Sequence, residues 1–92
     1  MRVNQRRSDV EIIAEILRIG ATGAAKTKIM YNANMSYSQM KKYLGFLMNQ
    51  GYLDSVRASN PSVTYQATER GLNLLECIDA FIEIFGLHDD LV

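Results

Sequence analysis

The chain has 92 residues, 48% of them hydrophobic, which suffices for one small core and excludes a second domain of ordinary size within them. Ten basic and ten acidic residues give a formal net charge of zero, and a single cysteine with a single histidine excludes an internal disulfide and argues against a metal site. No run of 18 apolar residues and no basic-then-apolar leader is present, so we expect a cytoplasmic protein that binds no membrane. We also expect that it needs no cofactor.

The first predicted helix begins after Ser8. Ser8 followed by Glu11 matches a capping box, in which each residue satisfies a backbone amide of the other. Residues 1–7 contain three arginines and predict a basic N-terminal arm. The helix ends at Gly20, and its predicted core-facing stripe is Val10, Ile13, Ala14, Leu17 and Ile19.

A short strand is predicted within residues 21–25, followed by a brief second helix over residues 26–32. Two apolar residues of this stretch are predicted to point inward, namely Ile29 and Ala33. Lys28 and Tyr31 would then point outward. The Tyr31 hydroxyl could hydrogen-bond a phosphate, and the alternative is that its ring packs against the third helix.

The third helix is marked at both ends. Ser36 is a typical N-cap residue, and Gly51 can leave the helix with a positive φ angle. Apolar and aromatic residues recur between them at spacings of three and four, which gathers them on one side of a helix. This predicted core-facing side consists of Tyr37, Met40, Tyr43, Leu44, Leu47 and Met48.

The opposite side of the third helix is polar and carries little bulk at its centre. It consists of Ser38, Lys42, Gly45 and Asn49, flanked by Gln39, Lys41 and Phe46. Serine, asparagine, glutamine and lysine are side chains that hydrogen-bond base edges or phosphates in a major groove. We therefore interpret the two helices as a helix-turn-helix whose second member is a recognition helix. The alternative is an ordinary solvated face of an amphipathic helix.

Two short β-prone runs follow the third helix, at residues 52–58 and 63–67. Turn-forming residues, including Pro61, separate them, which predicts a β-hairpin. A hairpin at this place is typical of a wing, with Arg57 near its tip and Asn60 among its neutral donors. The alternative is a hairpin that only covers one edge of the core.

The last predicted helix runs from the N-cap Thr68 to about Phe85 and stops at Gly86. Its apolar residues form two adjacent rows, of which one can pack on the core near Leu72 while the other would stay bare in a monomer. We expect the bare row to pair with the same helix of a second copy, and the alternative is burial within its own domain. The predicted dimer contacts are Leu74, Leu75, Ile78, Phe81, Ile82 and Phe85.

Charge is unevenly distributed along the chain. All ten basic residues precede Gly71 together with five acids, which leaves +5 there and −5 in the remainder. A polyanion responds to the local field and not to the total, so the basic part predicts nucleic-acid binding and the acidic helix a separate association element. Chance clustering in a short chain is the alternative.

Three segments resemble the small archaeal winged-helix DNA-binding proteins: EIIAEILRI at 11–19, GAAKTKIMYNANMSYSQMKKYLGFLMNQGYL at 23–53 and TYQATERGLNLLE at 64–76. That family contains dimeric chromatin-associated proteins and predicted transcriptional regulators. The resemblance implies a mainly α winged helix-turn-helix with a small β-hairpin and an extra C-terminal dimerisation helix that pairs antiparallel with its twin. It places the contacts to double-stranded DNA on Lys28, Tyr31, Ser36, Tyr37, Ser38, Gln39, Lys42 and Arg57, to which Lys41 and Asn60 are added as neighbours.

Two residues depart from the family pattern, since Gly45 and Phe46 replace a more polar surface, and the terminal helix looks shorter than in the prototype. We divide the unit into a DNA-binding domain at 1–67 and a dimerisation helix at 68–92. The expected function is a homodimeric, nucleoid-associated DNA-binding protein acting in transcription regulation or chromatin. An enzyme is not expected, because no catalytic constellation is recognisable. The alternative function is a winged helix for protein contacts, at which the exposed Phe46 hints.

Overall fold

The computed structural model describes residues 8–57 and 63–85, with only the backbone of Arg57. The predicted basic arm and Asn60 lie outside the described residues. The elements are α1 (Asp9–Ile19), a 3₁₀ turn (Gly20–Thr22), β1 (Ala24–Ala25), α2 (Lys26–Asn32), α3 (Tyr37–Asn49), β2 (Leu53–Arg57), β3 (Val63–Ala67) and α4 (Glu69–Phe85).

The three strands form one antiparallel sheet in the order β1, β3, β2. The predicted hairpin is confirmed, and its register runs from the pair Leu53 and Ala67 to the pair Arg57 and Val63. On the other side of β3, Ala24 pairs with Tyr65. The central strand therefore holds the first strand and the wing in one sheet, beside the two helices of the helix-turn-helix.

The start of α1 is the predicted capping box. The Glu11 amide donates to the Ser8 hydroxyl at 3.2 Å, and the Ser8 amide donates to Glu11 Oε1 at 2.9 Å. The predicted stripe was partly wrong, because Val10 is 40% exposed whereas Ile12 and Ile16 are buried. The cause is that α1 packs against α4 as well as against α2 and β3, so its buried face is wider and lies further around the helix.

One hydrophobic core joins the helices to the sheet. Its largest fully buried side chains come from α1, α2, α3 and β2: Ile16, Leu17, Ile29, Met40, Leu47 and Leu53. Within the described residues no polar or charged side chain is buried. The core is therefore apolar throughout, and it fixes α2 and α3 by one face each while their other faces stay in solvent.

The prediction of the core-facing side of α3 is confirmed at its centre and wrong at one edge. Met40, Leu44 and Leu47 are buried as predicted. Tyr37 and Met48 are 52% and 39% exposed, so their assignment to the core was wrong. Both lie roughly 60 to 80° around the helix from Met40, at the margin of the stripe, where the core no longer reaches.

The end of α3 and the start of α4 are joined by hydrogen bonds. Gly51 leaves α3 with φ of 81°, as predicted. The Thr68 hydroxyl donates to the Gly51 carbonyl at 2.7 Å and accepts the Gly71 amide at 3.0 Å, which makes it the predicted N-cap of α4. Arg70 Nε donates to the Gln50 carbonyl at 3.2 Å, and its guanidinium carbon lies 4.9 Å from the centroid of the Tyr52 ring. The first turn of α4 is thus fixed to the C-terminal end of α3.

Beyond its first turn, α4 packs along α1. The Arg18 guanidinium donates two hydrogen bonds to the Asp79 carboxylate, at 2.9 and 3.1 Å. Leu74 and Leu75 pack against the core, as expected for one apolar row of α4, whereas Leu72 itself is 40% exposed. In the described ranges, no helix combines the length and the apolar composition needed to cross a bilayer.

Candidate nucleic-acid interface

The connection between α2 and α3 is a tight reversal. Ala33 ends α2 and is fully buried, and Asn34 adopts a positive φ of 55°. Asparagine tolerates this left-handed conformation better than most residues, because its short amide can hydrogen-bond locally. The chain then enters α3 at Ser36. The predicted helix-turn-helix is present, and Asn34 is the turn-forming residue between its two helices.

A second capping box fixes the start of α3. The Gln39 amide donates to the Ser36 hydroxyl at 3.2 Å, and the Ser36 amide donates to Gln39 Oε1 at 3.3 Å. The Ser38 hydroxyl lies 3.5 Å from that of Ser36. Ser36 and Gln39 were predicted to contact DNA, but their side-chain oxygens are already engaged with each other. The Ser-x-x-Gln spacing was the sequence signal for this arrangement.

The polar side of α3 is exposed, as its spacing predicts. Ser38, Lys41, Lys42 and Asn49 are all solvent-exposed. A Cβ atom added to Gly45 would meet nothing within 4 Å, so the helix surface is flat and open at this point. These residues form a continuous strip of hydrogen-bonding groups with room for a ligand to approach the backbone.

A groove between α1 and α3 borders this strip. It has a volume of about 220 Å³ and is lined by Asp9, Ile13, Lys42, Tyr43 and Phe46. The Tyr43 hydroxyl donates to Asp9 Oδ1 at 2.5 Å, which ties α3 to the first turn of α1. Phe46 is 46% exposed. Lys42 therefore stands between the polar strip and a small apolar surface.

The helix α2 adds two exposed side chains beside α3. Lys28 is exposed, and Tyr31 is 85% exposed, which leaves its hydroxyl in solvent. The alternative that the Tyr31 ring packs against the third helix was wrong. A ring so far from the core contributes little to the fold.

The ring of Tyr37 lies near two lysines. The ammonium groups of Lys26, at the start of α2, and of Lys41, one turn along α3, are each 5.7 Å from the centroid of the Tyr37 ring. Both distances are within the range of a cation–π interaction. Lys26 was not among the predicted contacts, because its proximity to Tyr37 depends on how α2 and α3 are folded against each other.

The described part of the wing ends at Arg57 and resumes at Val63. Arg57 is the last residue of β2 to pair with β3, opposite Val63. The Thr64 hydroxyl donates to the Val56 carbonyl at 3.3 Å and reinforces this end of the hairpin. Arg57 is thus the described residue of β2 nearest the predicted tip of the wing, and contacts from Arg57 and Asn60 remain predictions.

The ion pair between Arg18 and Asp79 lies on the α4 side of α1. Hydrogen bonds from Arg18 lower the pKa of Asp79, and the same bonds raise the pKa of Arg18. The charge of Arg18 is therefore balanced by Asp79 of α4, whereas Lys41 and Lys42 have no ion pair with any described residue. Across residues 8–57 and 63–85 there is no group of three or more His, Cys, Asp or Glu that could hold a metal ion.

Among the described residues outside the helix-turn-helix, the largest exposed apolar side chains lie on α4. Phe81, Ile84 and Phe85 are 47%, 76% and 58% exposed, and the rings of the two phenylalanines lie 4.6 Å apart between centroids with their planes tilted by 45°. Leu74, Leu75 and Ile82 are half-buried. Ile78, a predicted dimer contact, is only 8% exposed, so its own protomer already buries it.

Known proteins share this architecture. A family model described as winged helix-turn-helix matches residues 6–85. An uncharacterized protein of Methanocaldococcus jannaschii is 34% identical over 82 residues, which cover 88% of this chain and 79% of that protein.

Two solved structures resemble the fold. Sso10a-2, a DNA-binding protein from Sulfolobus solfataricus, is 33% identical with a TM-score of 0.76, over 85% of this chain and 81% of that one. A mutant of ZitR from Lactococcus lactis is 22% identical with a TM-score of 0.65, over 96% of this chain and 70% of that one. The resemblance to small archaeal winged-helix proteins that the sequence predicted is confirmed.

Proposed function

The chain belongs to the winged helix-turn-helix family, and from this premise we propose that it binds double-stranded DNA, with α3 as its recognition helix. The observation that carries the proposal is the exposed strip of α3, where Ser38, Lys42 and Asn49 offer hydrogen bonds around the open surface at Gly45. With 13 residues, α3 is roughly 20 Å long and fits the major groove lengthwise.

The neighbouring elements supply contacts to the phosphate backbone. Lys28 and Tyr31 of α2 are exposed beside α3, and Arg57 and Asn60 of the predicted wing are the further candidate contacts. Backbone contacts of this kind fix the register of a protein on the duplex, whereas base-edge contacts from α3 select the sequence. Binding from this surface needs no metal and no catalytic group, so the protein acts as a binding protein and not as an enzyme.

The proposal includes a homodimer. Phe81, Ile84 and Phe85 lie exposed on α4, and burial against a second α4 would remove this apolar surface from water. Two recognition helices of such a dimer would engage successive major grooves, spaced by about 34 Å or a multiple of it. Occupancy of DNA by the dimer would then regulate transcription or organise chromatin at the nucleoid.

The test is fluorescence anisotropy of a labelled random duplex titrated with the protein at several salt concentrations. We expect micromolar or tighter binding at low salt, with log K falling against log salt by ~0.9 per phosphate neutralised. Lys42→Ala should weaken binding about three- to tenfold, because Lys42 lies on the exposed strip of α3.

The matched control is Arg18→Gln, which removes the same charge on the side of α1 that faces α4. Equal losses in the two variants would mean that only the net charge matters and that α3 is not the interface. No binding of the wild type at ~50 mM salt would overturn DNA binding altogether.

The second candidate function is a protein-interaction module. It is favoured by one observation, the 46% exposure of Phe46 in the groove with Ile13 and Tyr43. Titration of a duplex with both the wild type and Phe46→Ala distinguishes the two functions. A DNA-binding protein should retain most of its affinity for DNA in this variant, whereas an interaction module should bind no DNA in either form.

A further inference from the structure

Three side chains converge at the junction of the two helices of the helix-turn-helix. Lys26 opens α2, Tyr37 opens α3, and Lys41 follows one turn later. Each ammonium group is 5.7 Å from the centroid of the Tyr37 ring, so the two cations lie within about 11 Å of each other. This brings together charges from two helices that the sequence keeps 15 positions apart.

Within residues 8–57 and 63–85, neither Lys26 nor Lys41 forms an ion pair with an acidic side chain. The ion pair between Arg18 and Asp79 lies elsewhere, between α1 and α4. The electron-rich face of the Tyr37 ring attracts each ammonium group but carries no net charge. Lys41 is exposed and Lys26 is partly exposed, so both cations can meet a ligand from solvent. The arrangement therefore favours an anion.

A cleft beside Lys26 gives the anion a place to approach. Its volume is about 330 Å³, and it is lined by Ala25, Lys26, Thr27, Val63 and Tyr65. The wall formed by β1 and β3 is rigid, since Ala24 and Ala25 pair with β3. The exposed hydroxyl of Thr27 can donate a hydrogen bond to an oxygen anion that Lys26 attracts.

We propose that Lys26 and Lys41, held in place by the ring of Tyr37, form a phosphate clamp for the backbone of DNA beside the recognition helix. The inference rests on the proposed function and assigns a contact, Lys26, that the family resemblance did not supply. Tyr37 is a positioning residue here, because it acts through its ring on the two lysines. Its hydroxyl is not required.

The experiment measures duplex affinity and its salt dependence for Lys26→Ala, Tyr37→Leu, Tyr37→Phe and the double variant Lys26→Ala/Tyr37→Leu. Lys26→Ala should reduce the slope of log K against log salt by ~0.9, because one phosphate contact is lost. Tyr37→Leu should also lower the slope, whereas Tyr37→Phe keeps the ring and should stay within about twofold of wild-type affinity. In the double variant, losing Lys26 should cost less than it does alone.

The loss should be the same on duplexes of different sequence, because phosphates carry no sequence information. Thermal unfolding of each variant checks that the fold is intact, which the exposure of Tyr37 favours. Inorganic phosphate, added at matched ionic strength, should not displace DNA. Displacement would assign the site to a small phosphate ligand and overturn the clamp.

Failure of the clamp and failure of the proposed function give different results. If the wild type binds DNA and Lys42→Ala weakens it, but Lys26→Ala and Tyr37→Leu keep the full salt slope, the clamp is wrong and the recognition helix stands. A Tyr37→Phe variant as weak as Tyr37→Leu would also overturn it, because the hydroxyl would then be the contact. A wild type without affinity for any duplex removes both proposals.

Discussion

At Gly71, α4 lies directly against the backbone of Tyr52. A Cβ atom added at Gly71 would stand 2.0 Å from the Tyr52 carbonyl oxygen and 3.2 Å from Leu17 Cδ2. The first distance is far inside van der Waals contact, and a backbone oxygen cannot swing away as a flexible side chain can. The helix can approach this closely only because residue 71 has no side chain.

We expect Gly71→Ala to lower the free energy of unfolding by about 1 to 3 kcal/mol or more, since the backbone must shift to relieve the clash. Urea unfolding at fixed protein concentration measures the change. Gly45→Ala is the matched control, because it lies inside a helix with no atom within 4 Å of the new Cβ. That variant should be stabilised by roughly 0.5 to 1 kcal/mol. Similar effects in both variants would contradict the close packing at Gly71.

Single residues also show what a sequence can and cannot predict. Ser8 with Glu11, and Ser36 before α3, act on amides three positions away, so their roles are readable from spacing. Lys26 and Tyr37 meet only because α2 folds against α3, and no spacing rule reports that contact. The exposed face of α3 was therefore predictable in outline, whereas the contact between Tyr37 and Lys26 was not.

At the scale of elements, boundaries set by local chemistry were predictable. The strand Val63–Ala67 and the helix that follows Thr68 have the limits that the turn residues and caps indicate. The side of a helix that becomes buried depends on its neighbours, as the exposure of Val10 shows. The helix α1 packs against α4 through a side that the spacing of the apolar residues in α1 does not predict.

The contact between α1 and α4 is sensitive to acid. Hydrogen bonds from Arg18 hold the pKa of Asp79 below its ordinary value of 3.8. A carboxylate with a lowered pKa in the folded state adds stability above its unfolded pKa, and this contribution is lost as the pH falls through the folded pKa. Because both side chains are largely exposed, the contribution is small and is screened by salt.

We expect Asp79→Asn to be less stable than the wild type at neutral pH and to approach wild-type stability as the pH falls below 3.8. Chemical unfolding of both proteins across this range, at low salt, measures the difference. Glu76→Gln is the control, since it removes an exposed carboxylate from the same helix that is not the partner of Arg18. A difference that persists unchanged into strong acid would show that packing, and not the ion pair, is responsible.

At the scale of the whole molecule, the second half of α4 exposes three large apolar side chains, Phe81, Ile84 and Phe85. Phe81→Glu should place a charge in the proposed seam and convert a dimer into a folded monomer, because a buried unpaired carboxylate is costly. Sedimentation equilibrium measures the mass, and circular dichroism confirms the helix content. The control is Glu76→Ala, which lies roughly 140° around the helix from Phe81. A wild type that is monomeric at all concentrations would contradict the dimer.

The monomeric variant also separates dimerisation from DNA binding. If each protomer carries a complete recognition helix, the monomer should retain weak affinity and lose the benefit of two linked contacts, which can amount to about 10² to 10⁴ in affinity. Anisotropy with a duplex long enough for both halves compares the two forms. Equal affinity would show that only one protomer contacts DNA at a time.

The hydrogen bonds of Thr68 to Gly51 and of Arg70 to Gln50, the two residues that follow α3, make α4 a lever whose direction is fixed relative to α3. The angle between the recognition helix and the lever is set inside one protomer, before any partner arrives. In a dimer paired through α4, the register of that pairing alone would then decide how far apart the two recognition helices stand. Sliding one lever by a single helical turn would move them by about 5 Å along it, so the distance between half-sites on DNA would record the register.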